Sequence, residues 1–254
     1  MILVHGGPGL SLQEMSPLTS LTSPTRTIIS YDQRGAGTSS VDGDYSISAQ
    51  VADLAAIRQA FTAQRVWLVG QSWGGLVAAA YAAAHPSSTA GLVLIGALPP
   101  DLNAFLAGQR LFSGRLRQLQ SRGVVPTPLP ADTGGSCLPE LSALAPVYAA
   151  DPSHPVAEPQ GTSCTATTAA ATYRTVIDQH VLHGISRGLV AYRGPTLVVT
   201  GAKDPFGPTW PAAWKSALPQ ATLHTLVGAG HNPTLEKPKA VLDLIEQQLR
   251  ATAS

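Results

Sequence analysis

The chain has 254 residues, a formal net charge of +1 and only 12% charged residues. That length fits one large α/β domain or one domain carrying an insertion, and it buries a sizeable core. No basic or acidic block and no apolar run of membrane-spanning length occurs, which argues against nucleic-acid binding and against a membrane protein. The apolar runs Ile2–His5, Thr27–Asp32, Val66–Gly70, Gly91–Gly96, Thr196–Gly201 and Ala221–Val227 lack two-residue alternation. They read as strands buried on both faces.

Between them, helical periodicity predicts helices at 48–63, 75–85, 209–217 and 234–250, with Ser48 as N-cap of the first. Strand–helix alternation of this kind implies a mostly parallel sheet covered by helices on both sides, an α/β fold. Residues 99–190 break the rhythm. One helix is expected there up to Gly123, then loop, then helices near 139–150 and 165–183. This stretch reads as an insertion, so the expected division is a core of 1–98 and 191–254 with 99–190 as a helical lid.

Both cysteines, Cys137 and Cys164, lie in that insertion. They form either a disulfide tying its loops together or two idle thiols. The start, "MILVHGGPG", lacks the basic opening of a signal peptide. As it stands the chain reads as cytoplasmic; a truncated N-terminus together with a Cys137–Cys164 bridge would point to secretion.

A lone hydroxyl stands in "VGQSWGG" between a strand and an alanine-rich helix. Gly70-Gln71-Ser72-Trp73-Gly74 is G-x-S-x-G in strand–turn–helix context, the arrangement that lifts a nucleophilic serine above a sheet. Side chains at 70 and 74 would collide, hence glycine at both. A serine hydroxyl needs a base, and the base needs an orienting carboxylate. Asp204 follows the strand in "TLVVTGAKD" and His231 follows the next in "ATLHTLVGAGH". Serine, acid and histidine in that chain order, each beyond a strand's C-terminal end, form a catalytic triad.

The oxyanion of such a reaction needs two donors. The Trp73 amide is one, and the glycine-rich "HGGPG" at 5–9 supplies the other, Gly7 first and Gly6 as the alternative. His5 reads as a packing and hydrogen-bonding residue, and Glu14 as solvated. "DQHVLH" holds Asp178, His180 and His183 at near-helical spacing, but no further patterned ligand accompanies them, so no metal is expected. No G-x-G-x-x-G follows a strand, so no nucleotide cofactor is indicated either.

Together "HGGPG", "YDQRGAGTS" (31–39), "GQSWGG" and "YAAAHP" resemble the proline iminopeptidase family of α/β-hydrolases, and the likeness resumes with "GAKD" and "GAGHNP". By that resemblance Ser72, Asp204 and His231 map onto the family triad and the Gly7 and Trp73 amides onto its oxyanion hole. Arg34 falls in a structural turn, as a scaffold ion-pair residue. Two departures stand out. Gln71 occupies a position where the family usually has glycine, and residues 99–190 do not match its cap, which supplies glutamates for a substrate's amino terminus. The family also starts with two further strands, absent here, which would expose the Thr27–Asp32 strand as a sheet edge through which a dimer could form.

These readings converge on cofactor-free hydrolysis of an amide or ester of a small molecule or short peptide through an acyl-serine. An aminopeptidase releasing a small residue such as proline leads, and a carboxylesterase or lactonase is the alternative. A non-catalytic binding protein is disfavoured by the complete triad. Acids available in the insertion are Asp101, Asp132, Glu140, Asp151, Glu158 and Asp178, and Phe105, Phe112 and Tyr148 are the expected apolar pocket residues.

Overall fold

The computed structural model describes residues 1–41, 43–176 and 179–252. Its strands are β1 (Ile2–Val4), β2 (Ile29–Ser30), β3 (Val66–Gln71), β4 (Thr89–Ile95), β5 (Thr196–Gly201) and β6 (Thr222–Leu226). Among the described residues they form one six-stranded parallel sheet in the order β2-β1-β3-β4-β5-β6. In register, Leu3 lies beside Val69, Val69 beside Val93 and Val93 beside Leu197. The fold is that of an α/β-hydrolase.

Alternate residues of these strands feed two cores, because successive side chains point to opposite faces. Ile2, Val4, Leu68, Leu92, Leu94 and Val198 pack on the side of α1 (Ile47–Ala60), α2 (Trp73–Ala84) and α7 (Thr209–Ala217). Leu3, Val69, Val93, Leu197 and Val199 pack against a 3₁₀ segment (Leu12–Leu21) and α9 (Pro238–Ala251). Burial on both faces explains the unbroken apolar runs of β1, β3, β4 and β5, whereas the edge strand β6 is largely exposed and β2 only half-buried, unlike the fully buried strands expected there.

Four helices stand between β4 and β5: α3 (Leu102–Ser121), α4 (Leu138–Tyr148), α5 (Ala166–Val176) and α6 (Gln179–Leu189). The helix expected over 234–250 is instead α8 (Pro233–Glu236) followed by α9. Pro238 has no amide hydrogen and disfavours helical backbone at Lys237, whose φ is −138° and ψ 51°. Ser48 does not cap α1. Ser46 does: its backbone is extended, and its hydroxyl accepts from the Ala49 amide at 3.3 Å. Strand β2, at the sheet edge, is only two residues long, and very short edge strands limit unwanted pairing.

Cys137 and Cys164 are disulfide-bonded, with Cα atoms 5.2 Å apart. The bridge packs on Leu10, and the Thr165 amide donates to the Gly9 carbonyl at 2.9 Å. The disulfide ties the residues before α4 to those before α5, and backbone bonds from Thr165 to Gly9 and from Ser11 to Ser163 fasten that junction to the turn after β1.

Candidate active site

The strand order reverses between β1 and β3, and the loops that leave their C-terminal ends diverge there, opening a crevice. "HGGPG" follows β1 and Ser72 follows β3. Ser72 sits at φ 50° and ψ −117°, a left-handed conformation that costs a serine about 1–3 kcal/mol. The turn is feasible only because its flanks are bare. A Cβ on Gly70 would strike the Gly74 carbonyl, and one on Gly74 would strike the Val4 carbonyl. Helix α2, wholly apolar at its start, can then lie directly on the sheet.

Ser72 Oγ is 3.0 Å from His231 Nε2, and His231 Nδ1 is 3.1 Å from Asp204 Oδ2. The second Asp204 oxygen accepts from the Phe206 amide at 3.0 Å. This pattern assigns the His231 proton to Nδ1 and leaves Nε2 free to accept from serine. The imidazole is buried, edge-on to Phe206 at 4.9 Å and tilted against Tyr148 at 5.4 Å, and its backbone amide donates to the Tyr148 carbonyl at 2.8 Å. Helix α4 thus ends against the histidine.

The two glycine amides of the turn differ. Gly6 donates to the Glu14 carboxylate, so its hydrogen is already engaged. The Gly7 amide has no partner among the described residues and lies in the wall of the hollow over Ser72. Of the pair, Gly7 is the one available to an oxyanion.

Gln33, in the "DQRG" turn, clasps both donor elements. Its side chain donates to the His5 carbonyl at 2.6 Å and accepts from the Trp73 indole at 2.8 Å, and its backbone amide donates to His5 Nε2 at 2.9 Å. His5 is a neutral, buried hinge pin, its imidazole pushed down to about 4 by burial, partly opposed by its bond to the Gly6 carbonyl and by Asp32. Arg34 pairs bidentately with Asp53, both bonds 2.7 Å.

Glu14 is not solvated. It is 2% exposed, and besides Gly6 it accepts from the Gln71 amide at 3.2 Å. Gln71 also donates to Asn232 at 3.0 Å and accepts from Thr234 at 2.5 Å. The residue that replaces the family's glycine therefore bridges the turn after β1 to the loop carrying His231. Burial first, then the nearby Glu158, push the Glu14 carboxyl up to about 8, against the bond from Gly6. Burial likewise raises Glu158, while His231 opposes it, and Glu158 Oε2 has no hydrogen-bond partner.

Glu14, Glu158, Ser72, His231, Tyr148 and Gly7 all line one hollow of about 50 Å³. Of the expected apolar residues, Tyr148 lines it. Phe112 instead packs behind Tyr148 and Phe206, with ring centroids 5.3 and 5.1 Å away, and Phe105 is core, stacked on Trp210. Asp101 caps α3 by accepting from the Ala104 amide at 2.7 Å. Asp178 lies outside the described residues. Among the described residues no group of three or more His, Cys, Asp or Glu could hold a metal, and no helix is long and apolar enough to cross a membrane.

Residues 1–238 match the sequence family described as alpha/beta hydrolase fold. The chain belongs to that family. A proline iminopeptidase of Lactobacillus crispatus (strain ST1) is 38% identical over 104 residues, which are 39% of this chain and 36% of that relative. The chain thus spans about a third of the length of the curated relatives it matches. Among solved structures, a proline iminopeptidase of Mycobacterium smegmatis superposes with a TM-score of 0.69 at 22% identity, covering 99% of this chain and 89% of that one. A thermophilic esterase of Thermogutta terrifontis gives 0.65 at 24%, covering 100% and 90%. At these identities the structural likenesses establish the fold alone.

Proposed function

We propose that this chain is a serine hydrolase that removes a small N-terminal residue, such as proline, from an amide or short peptide. Ser72 attacks the carbonyl carbon while His231 Nε2 takes its proton, and Asp204 holds and stabilises the imidazolium. The Gly7 and Trp73 amides receive the oxyanion. His231 then protonates the departing amine, and water releases the acyl group from Ser72 by the same path. Residues 99–190 act as a lid on a core of 1–98 and 191–254.

One observation carries the amide reading over an ester or lactone: two carboxyl groups, Glu14 and Glu158, face the hollow that holds Ser72 and His231. Burial and each other's proximity favour the acid forms of these carboxyls, and a bound ammonium group would favour their ionised forms and pair with them. An apolar ester would leave Glu158 Oε2 without a partner. The small volume of that hollow also favours a compact acyl residue. The 38% identical proline iminopeptidase adds support through the shared core motifs.

The test is hydrolysis of proline p-nitroanilide by native protein and by Glu158→Gln. Loss of one partner of a buried charge pair predicts a fall in kcat/KM of roughly a hundredfold. Undiminished turnover in the variant would remove Glu158 from amine recognition.

A further inference from the structure

A second hollow, of about 220 Å³, adjoins the first. The two share Leu141, Tyr148, Glu158 and Asn232, so the larger one adjoins the hollow that holds Ser72. Away from that junction the larger one is walled mainly by Ala145, Ala149, Pro155, Val156 and Ala157. Glu236 also borders it, yet both of its carboxylate oxygens are occupied by the Gly230 and Ala150 amides, each at 2.8 Å. The large hollow is therefore an apolar chamber with its one unsatisfied charge, Glu158, at the mouth.

Its side relative to the chemistry follows from His231. A general acid must stand beside the atom that leaves, so the leaving group departs along the His231 face. His231 itself walls the small hollow, and the large one adjoins it through Asn232, the next residue in the chain, and Tyr148, which packs on the imidazole at 5.4 Å. Gly7 and Glu14, on the oxyanion side, wall only the small hollow. An apolar cavity of about 150 Å³ already accepts benzene, so the larger chamber has room for a ring or a branched aliphatic side chain.

We propose that the cavity between α4, residues 155–158 and the Asn232–Glu236 turn is a leaving-group subsite for an apolar side chain or ring. With the hydrolytic reading above, on which it rests, this assigns the substrate as a small acyl residue joined to a bulky apolar leaving group. Affinity there comes from removing apolar surface from water.

Acetate esters test it without any amine, which separates the subsite from the aminopeptidase reading. Methyl and benzyl acetate share an acyl group and release alcohols of nearly equal acidity. Native protein should favour benzyl acetate by at least about tenfold in kcat/KM. Ala145→Phe and Ala157→Trp each fill the chamber and should bring the ratio to within about twofold. An even ratio in native protein overturns the subsite, and so does a preference that survives in both variants. Failure to cleave proline p-nitroanilide would count against the amide reading only. If neither acetate ester is cleaved, equilibrium binding of benzyl alcohol decides the subsite. Binding by native protein that both variants lose supports it; no binding by native protein overturns it.

Discussion

The C-terminal edge of the sheet and the four helices between β4 and β5 meet at one hollow, yet they are built on different terms. At the sheet edge, each functional group is held by short-range geometry. A strand ends, a turn follows, and Ser72, Asp204 or His231 is delivered within five residues. The helical segment works at long range. Glu158 reaches the hollow because a disulfide and the Thr165–Gly9 hydrogen bond fasten its flank to the turn after β1. On the present reading the edge supplies reactivity and the helices supply selectivity, and each side can be perturbed separately.

The largest effect belongs to the edge. Ser72→Ala or His231→Ala should each lower kcat by on the order of a million-fold, and the double variant should lose little more, because the groups act as one unit. Steady-state rates on a p-nitrophenyl ester check this. Additive losses, or esterase activity retained in Ser72→Ala, would show that the edge is not the reactive side.

The next effect belongs to the helices. Replacing Cys137 and Cys164 by serine opens a loop with a sequence separation of 27. The chain-entropy account puts the cost at about 3–4 kcal/mol of stability. Thermal unfolding with and without a reductant measures it. The comparison sharpens if the amine-dependent activity falls more than simple esterase activity in protein that is still folded.

The legibility of the two regions in the sequence divides along the same line. The central strands, buried on both faces, leave continuous apolar runs; β2 and β6 lie at the edges and are not buried on both faces, yet their β-rich runs still placed them within a few residues. The glycines at 70 and 74 were visible because a Cβ at 70 would strike the Gly74 carbonyl and one at 74 the Val4 carbonyl. Glu14 was read as solvated because its segment is a 3₁₀ turn interrupted by Pro17, with no period to mark a buried face. Only packing across the chain, onto Gly6 and Gln71, buries it. Glu158 was one acid among six for the same reason. Gln71 registered only as a departure from a motif, and its partners Asn232 and Thr234 lie more than 160 residues away.

A smaller effect reports where the two regions touch. The unfolded chain releases the Glu14 proton near the ordinary glutamate value of 4.5, while the folded protein keeps it up to about 8. Between those values the folded state holds the extra proton, so stability declines as pH rises through that window. Glu14→Gln removes the titration. Its melting temperature, relative to native protein, should therefore be more favourable at pH 8 than at pH 5. A difference that does not change with pH would mean that Glu14 is not held in its acid form.

The most direct test of the central claim compares proline p-nitroanilide with its N-acetylated form on native protein. Acetylation leaves the scissile bond, the acyl ring and the leaving group in place; it replaces the positive charge that Glu14 and Glu158 are taken to hold with a neutral acetyl amide. The account predicts that kcat/KM falls by at least about a hundredfold. Equal turnover of the two compounds would contradict it, leaving a serine hydrolase whose paired carboxyl groups serve some other end.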